Sequence, residues 1–213
     1  MPNPFPPEFF GRIDDSDDEL FYTAPRLVVH IDDGAIEKTR QLYAQLLPKG
    51  GAILDLMSSW RSHLPRDLRA ARVVGLGMNR PEMADNPQLT EIVLHNLNRT
   101  ARLPFADAEF DGAVVTVSIQ YMIEPVRTFR EVARILRPGA PFVVTFSNRM
   151  FPTKAVAIWH HLNERDRVGL VARYFMDAGG FENIDTIDRS DPTDPPSDPI
   201  WAVVGYRKRE ASI

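Results

Sequence analysis

Five short apolar runs, rich in β-branched residues and set apart by stretches long enough for a helix or a wide turn, constrain this chain more than any other feature. They are Ala52 to Leu56, Arg72 to Leu76, Ile92 to His95, Gly112 to Val117 and Pro141 to Ser147. A near-continuous run such as Ala113-Val114-Val115-Thr116-Val117 suits a strand covered on both faces, and the intervening lengths suit crossover connections. The expectation is α/β, with a doubly wound, mostly parallel sheet. After the fifth run the alternation breaks. Residues 149–175 are largely helical in pattern, Gly179-Gly180 ends that stretch, and two strand-like runs, Asn183 to Arg189 and Ile200 to Tyr206, flank a link holding Pro192, Pro195, Pro196 and Pro199. A short link between two strands predicts an antiparallel hairpin, which completes seven strands.

Two helices are well marked. One starts at Asp33, with Asp32 or Asp33 as its N-cap, carries Ile36, Tyr43 and Leu46/Leu47 at helical spacing, and stops at Pro48-Lys49-Gly50-Gly51. The other runs from Glu124 to Arg137, with Pro125 in its first turn, an apolar stripe of Val126, Phe129, Val132, Ala133 and Leu136, and Pro138-Gly139 behind it. Residues 1–20 hold four prolines and the acids Asp14, Asp15, Asp17, Asp18 and Glu19, and read as a solvated tail with little apolar area to bury. The rest divides into a first helix at 21–48, a core at 49–148, a helical cover at 149–175 and the hairpin at 176–207, all one domain.

Composition narrows the chemistry. With 213 residues and no cysteine, the chain has no disulfide, thiolate metal site or Cys nucleophile, which fits a reducing compartment, and a cytoplasmic protein is the expectation. A net charge of −4 provides no general basic field for nucleic acid or anionic lipid, and no apolar run has the length of a membrane span.

Three motifs carry the functional reading. The first strand runs into a turn as Ala52-Ile53-Leu54-Asp55-Leu56-Met57-Ser58-Ser59-Trp60, a carboxylate at a strand end where α/β sheets open their ligand crevice. Leu103-Pro104-Phe105-Ala106-Asp107-Ala108-Glu109-Phe110-Asp111 precedes the fourth strand, and Glu131-Val132-Ala133-Arg134-Ile135-Leu136-Arg137-Pro138-Gly139 precedes the fifth. In this order and spacing, over roughly Pro48 to Asn148, they resemble the class I S-adenosylmethionine-dependent methyltransferases, in particular the type 11 methyltransferase domain. The resemblance implies a Rossmann-like sheet, S-adenosylmethionine as cofactor and methyl transfer to an acceptor, with small chain size favouring a small molecule.

The chain departs from that family at two places. Met57, Ser59 and Arg61 stand where the family's D-x-G-x-G-x-G loop has glycines, so the loop either takes another path or holds a strained non-glycine residue. Gly77 stands where the family has an acid for the ribose hydroxyls, leaving Asn79 as a weaker acceptor. The resemblance places the cofactor against Asp55, Met57, Ser58, Ser59, Gly77, Met78, Asn79, Asn96, Leu97, Ser118 and Tyr121, with Asn96 reading adenine through both ends of its amide and Asn98 competing for that role. Trp60 and Arg61 either fill the cleft or stack on adenine. His30, His63 and His160 are the candidate bases, and Arg149 and Lys154 would favour an anionic acceptor; for each, an ordinary structural role is the stronger expectation. The competing reading is a pseudoenzyme that keeps the fold as a binding module. A dinucleotide fingerprint at Gly75-Leu76-Gly77-Met78-Asn79-Arg80 fails because Arg80 takes the third glycine position and a strand precedes the unit.

Overall fold

A computed structural model describes residues 4–190 and 197–209, so Pro192, Pro195 and Pro196 of the hairpin link lie outside the described residues. Seven strands form one sheet: β1 (Ala52–Leu56), β2 (Arg72–Gly77), β3 (Glu91–Leu94), β4 (Gly112–Thr116), β5 (Pro141–Phe146), β6 (Phe181–Asp188) and β7 (Trp201–Arg207). Their order is β3-β2-β1-β4-β5-β7-β6, with β7 antiparallel to β5; the parallel core through β5 and the antiparallel β6–β7 hairpin are as predicted. Parallel order reverses between β1 and β4, which places the crevice beyond their carboxyl ends.

The helices are α1 (Asp18–Phe21), α2 (Asp33–Leu46), α3 (Arg80–Ala84), α4 (Pro125–Ile135), α5 (Ala157–His161) and α6 (Glu164–Ala178). Asp32 caps α2 by accepting from the Ala35 N–H at 2.8 Å, and Pro125 opens α4, where its missing N–H costs nothing. Helix α4 buries Val126, Phe129, Val132 and Ala133, and Phe129 meets Phe142 of β5 and Phe175 of α6 edge-on at 4.9 and 4.7 Å.

The two motifs flanking β4 turn out to be one clamp. Glu131 accepts from the Leu103 N–H at 3.1 Å, while Arg134 donates to the Leu103 and Phe105 carbonyls at 3.1 and 2.9 Å and to Asp107 at 2.7 Å. Asp111 accepts from the Ala52 N–H at 2.8 Å, fixing the start of β1, and pairs with Arg137. These residues therefore hold the sheet's bottom edge and touch no part of the crevice.

Two expectations are corrected. Residues 149–156 are turns rather than helix, since Pro152 has no N–H to give and the Val156 N–H goes to the Gln120 carbonyl at 3.0 Å. Most of the first twenty residues, as far as they are described, are exposed as expected, but two points of the segment are packed. Phe10 is buried beside Tyr174, and Lys154, 1% exposed, donates to the carbonyls of Asp14 and Ser16 at 3.2 and 2.8 Å. Its ammonium lies 3.3 Å from Asp14 and 3.4 Å from Asp18, and Arg12 donates to Asp18 at 2.6 Å. Composition misleads at Asp14 and Asp18 because they find buried cations, which offsets the cost of taking them out of water.

Candidate functional site

The strand ends at the switch point border a cleft of about 1160 Å³, counting the space open to solvent at its mouth. All eleven residues expected from the sequence line it: Asp55, Met57, Ser58, Ser59, Gly77, Met78, Asn79, Asn96, Leu97, Ser118 and Tyr121. Placement and role are separate matters, and several of these side chains are already engaged.

Asp55, 2% exposed, accepts through one oxygen from the hydroxyls of Ser58 and Ser62, both at 2.6 Å. Burial pushes its carboxyl up to about 6, with the two hydroxyls pulling the other way. It therefore organises the loop after β1. That loop keeps a left-handed turn at the first glycine position, Met57 at φ 59°, and then leans across to β2, where the Ser58 N–H donates to the Leu76 carbonyl at 2.8 Å. A Cβ on residue 77 would lie 2.3 Å from the Ser58 carbonyl oxygen. Gly77 is thus glycine because the loop occupies the space beside it, and the two departures from the family pattern are one structural change. His63 (φ 55°) and Val117 (φ 49°) also line the cleft in the left-handed region, costly for a β-branched residue such as Val117. Such concentration of strain is characteristic of ligand sites.

Asn79 is not an available ribose acceptor. Its oxygen caps α3 by accepting from the Glu82 N–H at 3.0 Å, and its amide donates to the Tyr22 carbonyl at 2.8 Å. The carboxylate at this end of the cleft belongs instead to Glu82, which the sequence reading missed. Glu82 is 5% exposed and accepts from the Ser59 hydroxyl at 2.6 Å and the Arg26 N–H at 2.7 Å, with a second lone pair left on each oxygen. The signal was the N-cap pattern Asn79-Arg80-Pro81-Glu82, which places an acid in the first turn of a helix at a strand's carboxyl end.

Asn96 also departs from its expected double role. Its oxygen is turned inward to the N–H groups of Asn98 and Arg99 at 3.0 and 3.3 Å, so only its amide N–H groups can face a ligand. Asn98 is fully spent on Asp18, the Tyr121 carbonyl and the Ile123 N–H. The Trp60 indole donates to the Val28 carbonyl at 2.9 Å, with the Arg61 guanidinium 3.9 Å over its ring, so the pair forms the rim rather than a plug. Of the three candidate bases, His30 and His63 line the cleft and His160 does not, while His95 lines it as well. Burial and the nearby guanidinium groups of Arg40 and Arg61 bring His63 down to about 4. Arg149 is paired with Asp198 at 2.7 Å and Lys154 is the buried anchor described above, so neither faces an acceptor.

A family profile described as a methyltransferase domain matches residues 61–144. The match covers 84 of the 213 residues. A demethylmenaquinone methyltransferase from Mycobacterium sp. (strain KMS) is 39% identical over 56 residues, and the match spans about a quarter of both chains, 24% of each. The methyltransferase in complex with the Trm112 activator from Haloferax volcanii superposes with a TM-score of 0.62 at 18% identity, over 83% of this chain and 92% of that one. The [4+2]-cyclase SpnF gives the same TM-score at 17% identity, over 90% and 92%. Likeness of this degree shows the fold, and a cyclase among the matches shows that the fold alone does not name the reaction.

Proposed function

We propose that this chain transfers the methyl group of S-adenosylmethionine to a small-molecule acceptor. The observation that carries the reading is the open cleft at the switch point, whose polar groups suit the cofactor's parts in sequence along it. The Asp55-ordered loop of Ser58 and Ser59 lies at the end where the methionine portion would sit. Glu82 offers carboxylate lone pairs for the ribose hydroxyls. The amide of Asn96 would offer a donor to a ring nitrogen of adenine, between apolar Leu76, Met78 and Leu97. The sulfonium supplies an electrophilic methyl group. This chain's residues then have to align the acceptor and keep water out, which supports the reaction without an elaborate catalytic set. The pseudoenzyme reading loses ground because Trp60 is turned to the rim and the space beyond Asp55 is not filled.

Calorimetry and thermal shift with S-adenosylhomocysteine, with NAD as control, test the reading. Ligand at about 100 times its Kd adds roughly 2.7 kcal/mol, or on the order of 5 to 10 °C in Tm for a chain of this size. Glu82→Gln keeps an oxygen for Arg26 and lets Ser59 turn its hydroxyl round, so the fold should hold while S-adenosylhomocysteine affinity falls at least about tenfold. No binding to the wild-type chain would refute the reading.

A further inference from the structure

Beyond the proposed cofactor end, the cleft is closed by Tyr22, Arg26 and His30 from residues 22–31, by Tyr121, and by Phe151 from the loop after β5. Four of these five carry rings. His30 meets Phe151 edge-on at 4.8 Å, Tyr121 lies 6.0 Å from Phe151, and the Arg26 guanidinium sits 4.0 Å over Phe21 and 5.8 Å from Phe151. An aromatic enclosure could suit a cation, but here a fixed guanidinium already occupies it and would repel one. The carboxylates among the described lining residues are Asp55, held by Ser58 and Ser62, and Glu82, tied to Ser59 and the Arg26 N–H. The enclosure therefore favours a flat ring bearing a group that becomes negative.

From this geometry we infer that the acceptor is an aromatic hydroxyl, a phenol, held against Phe151 with its oxygen toward Arg26, and that His30 takes its proton. The inference rests on the methyl-transfer reading. The phenolic O–H bond breaks to the imidazole, the oxygen forms a bond to the methyl carbon, and the carbon–sulfur bond opens with its electron pair left on sulfur, so the sulfonium becomes a neutral thioether. The imidazolium then returns its proton to water. The charged and titratable groups around His30 are Arg26 beside it, Glu82 on α3 and His63 from the loop after β1. Partial enclosure and Arg26 hold the imidazole in its neutral, proton-accepting form, with Glu82 opposing them.

The test uses the full chain with two acceptors, 1-naphthol, which is protonated at neutral pH, and 4-nitrophenol, which is substantially ionised. First, 4-nitrophenol is titrated into protein loaded with S-adenosylhomocysteine; the phenolate absorbance band should grow on binding, and Arg26→Met should abolish that growth. Second, turnover is followed by S-adenosylhomocysteine release. His30→Gln should slow 1-naphthol by about 100-fold and 4-nitrophenol by less than about fivefold, because the second acceptor needs no base. Equal losses on both acceptors, or S-adenosylhomocysteine binding without any phenol binding or turnover, would overturn the assignment of His30 and of the acceptor. Failure of S-adenosylhomocysteine to bind at all would be a different result, removing methyl transfer itself.

Discussion

The clamp around β4 and the loop after β1 lie in the same half of the sheet, yet they relate to the family pattern in opposite ways. In the clamp, Glu131, Arg134 and Asp111 keep the motif residues, and every one of them is spent on backbone groups or on each other at the sheet's lower edge. In the loop, the glycines are gone, and Asp55, Ser58 and Ser62 have formed a different hydrogen-bonded turn against Gly77. The comparison teaches that the most recognisable residues of this chain report architecture, whereas the residues that would meet a ligand are the ones that have changed.

Substitutions can break that division, and the largest effect is expected where loop and sheet meet. Gly77→Ala drives a Cβ into the Ser58 carbonyl, so the loop must move. S-adenosylhomocysteine affinity should fall by more than about 100-fold in calorimetry, with stability down by about 2 kcal/mol. Arg134→Met should do the reverse. It strips donors from two carbonyls and two carboxylates and should cost about 2–3 kcal/mol in urea unfolding, while affinity for S-adenosylhomocysteine at 15 °C stays within about twofold. A large affinity loss there would mean the clamp is not purely structural.

Asp55 sharpens the comparison through pH. Its folded-state pKa, about 6, lies above the ordinary value of 3.8, so the folded chain binds the extra proton, and this group's contribution to stability is fully present below about pH 4 and is lost as pH rises through 6. Asp55→Asn keeps an oxygen for Ser58 and Ser62 without that charge. Its stability relative to wild type should therefore rise between pH 4.5 and pH 7.5, by about 1–3 kcal/mol, in denaturant midpoints measured across the range. A difference independent of pH would show that the carboxylate is not the cause. The smallest effect concerns Asn96. Asn96→Asp retains the oxygen that caps the turn and loses only the amide donors, so affinity for S-adenosylhomocysteine should drop about fivefold while Tm without ligand moves by less than about 2 °C.

How far the sequence could be read follows from the same division. The number and direction of the strands were legible because parallel strands buried on both faces leave continuous β-branched runs, and because Pro125, Gly179 and the prolines near β7 punctuate the chain. The position of the cleft was legible from strand ends. Side-chain roles there were not, because a short polar side chain can serve its own backbone or a ligand equally well. Asn79 and Asn96 both turn their oxygens to local N–H groups, and nothing in a linear pattern distinguishes that outcome. Glu82 was not legible because it sits in a helix turn beyond the strand, not at the strand's last residue, where the family pattern puts its acid. The packing of Asp14 and Asp18 was hidden for a related reason, their counter-charge on Lys154 lying some 140 positions away in sequence.

That remote counter-charge has a practical corollary. Trimming the first twenty residues to tidy the chain would strip the carbonyls and carboxylates from around the Lys154 ammonium and strand a bare cation inside the protein. Since residues 22–31 join that segment to the wall of the cleft, such a shortened version would be expected to lose ligand binding along with cohesion, and its silence in an assay would say nothing about the catalytic power of the whole.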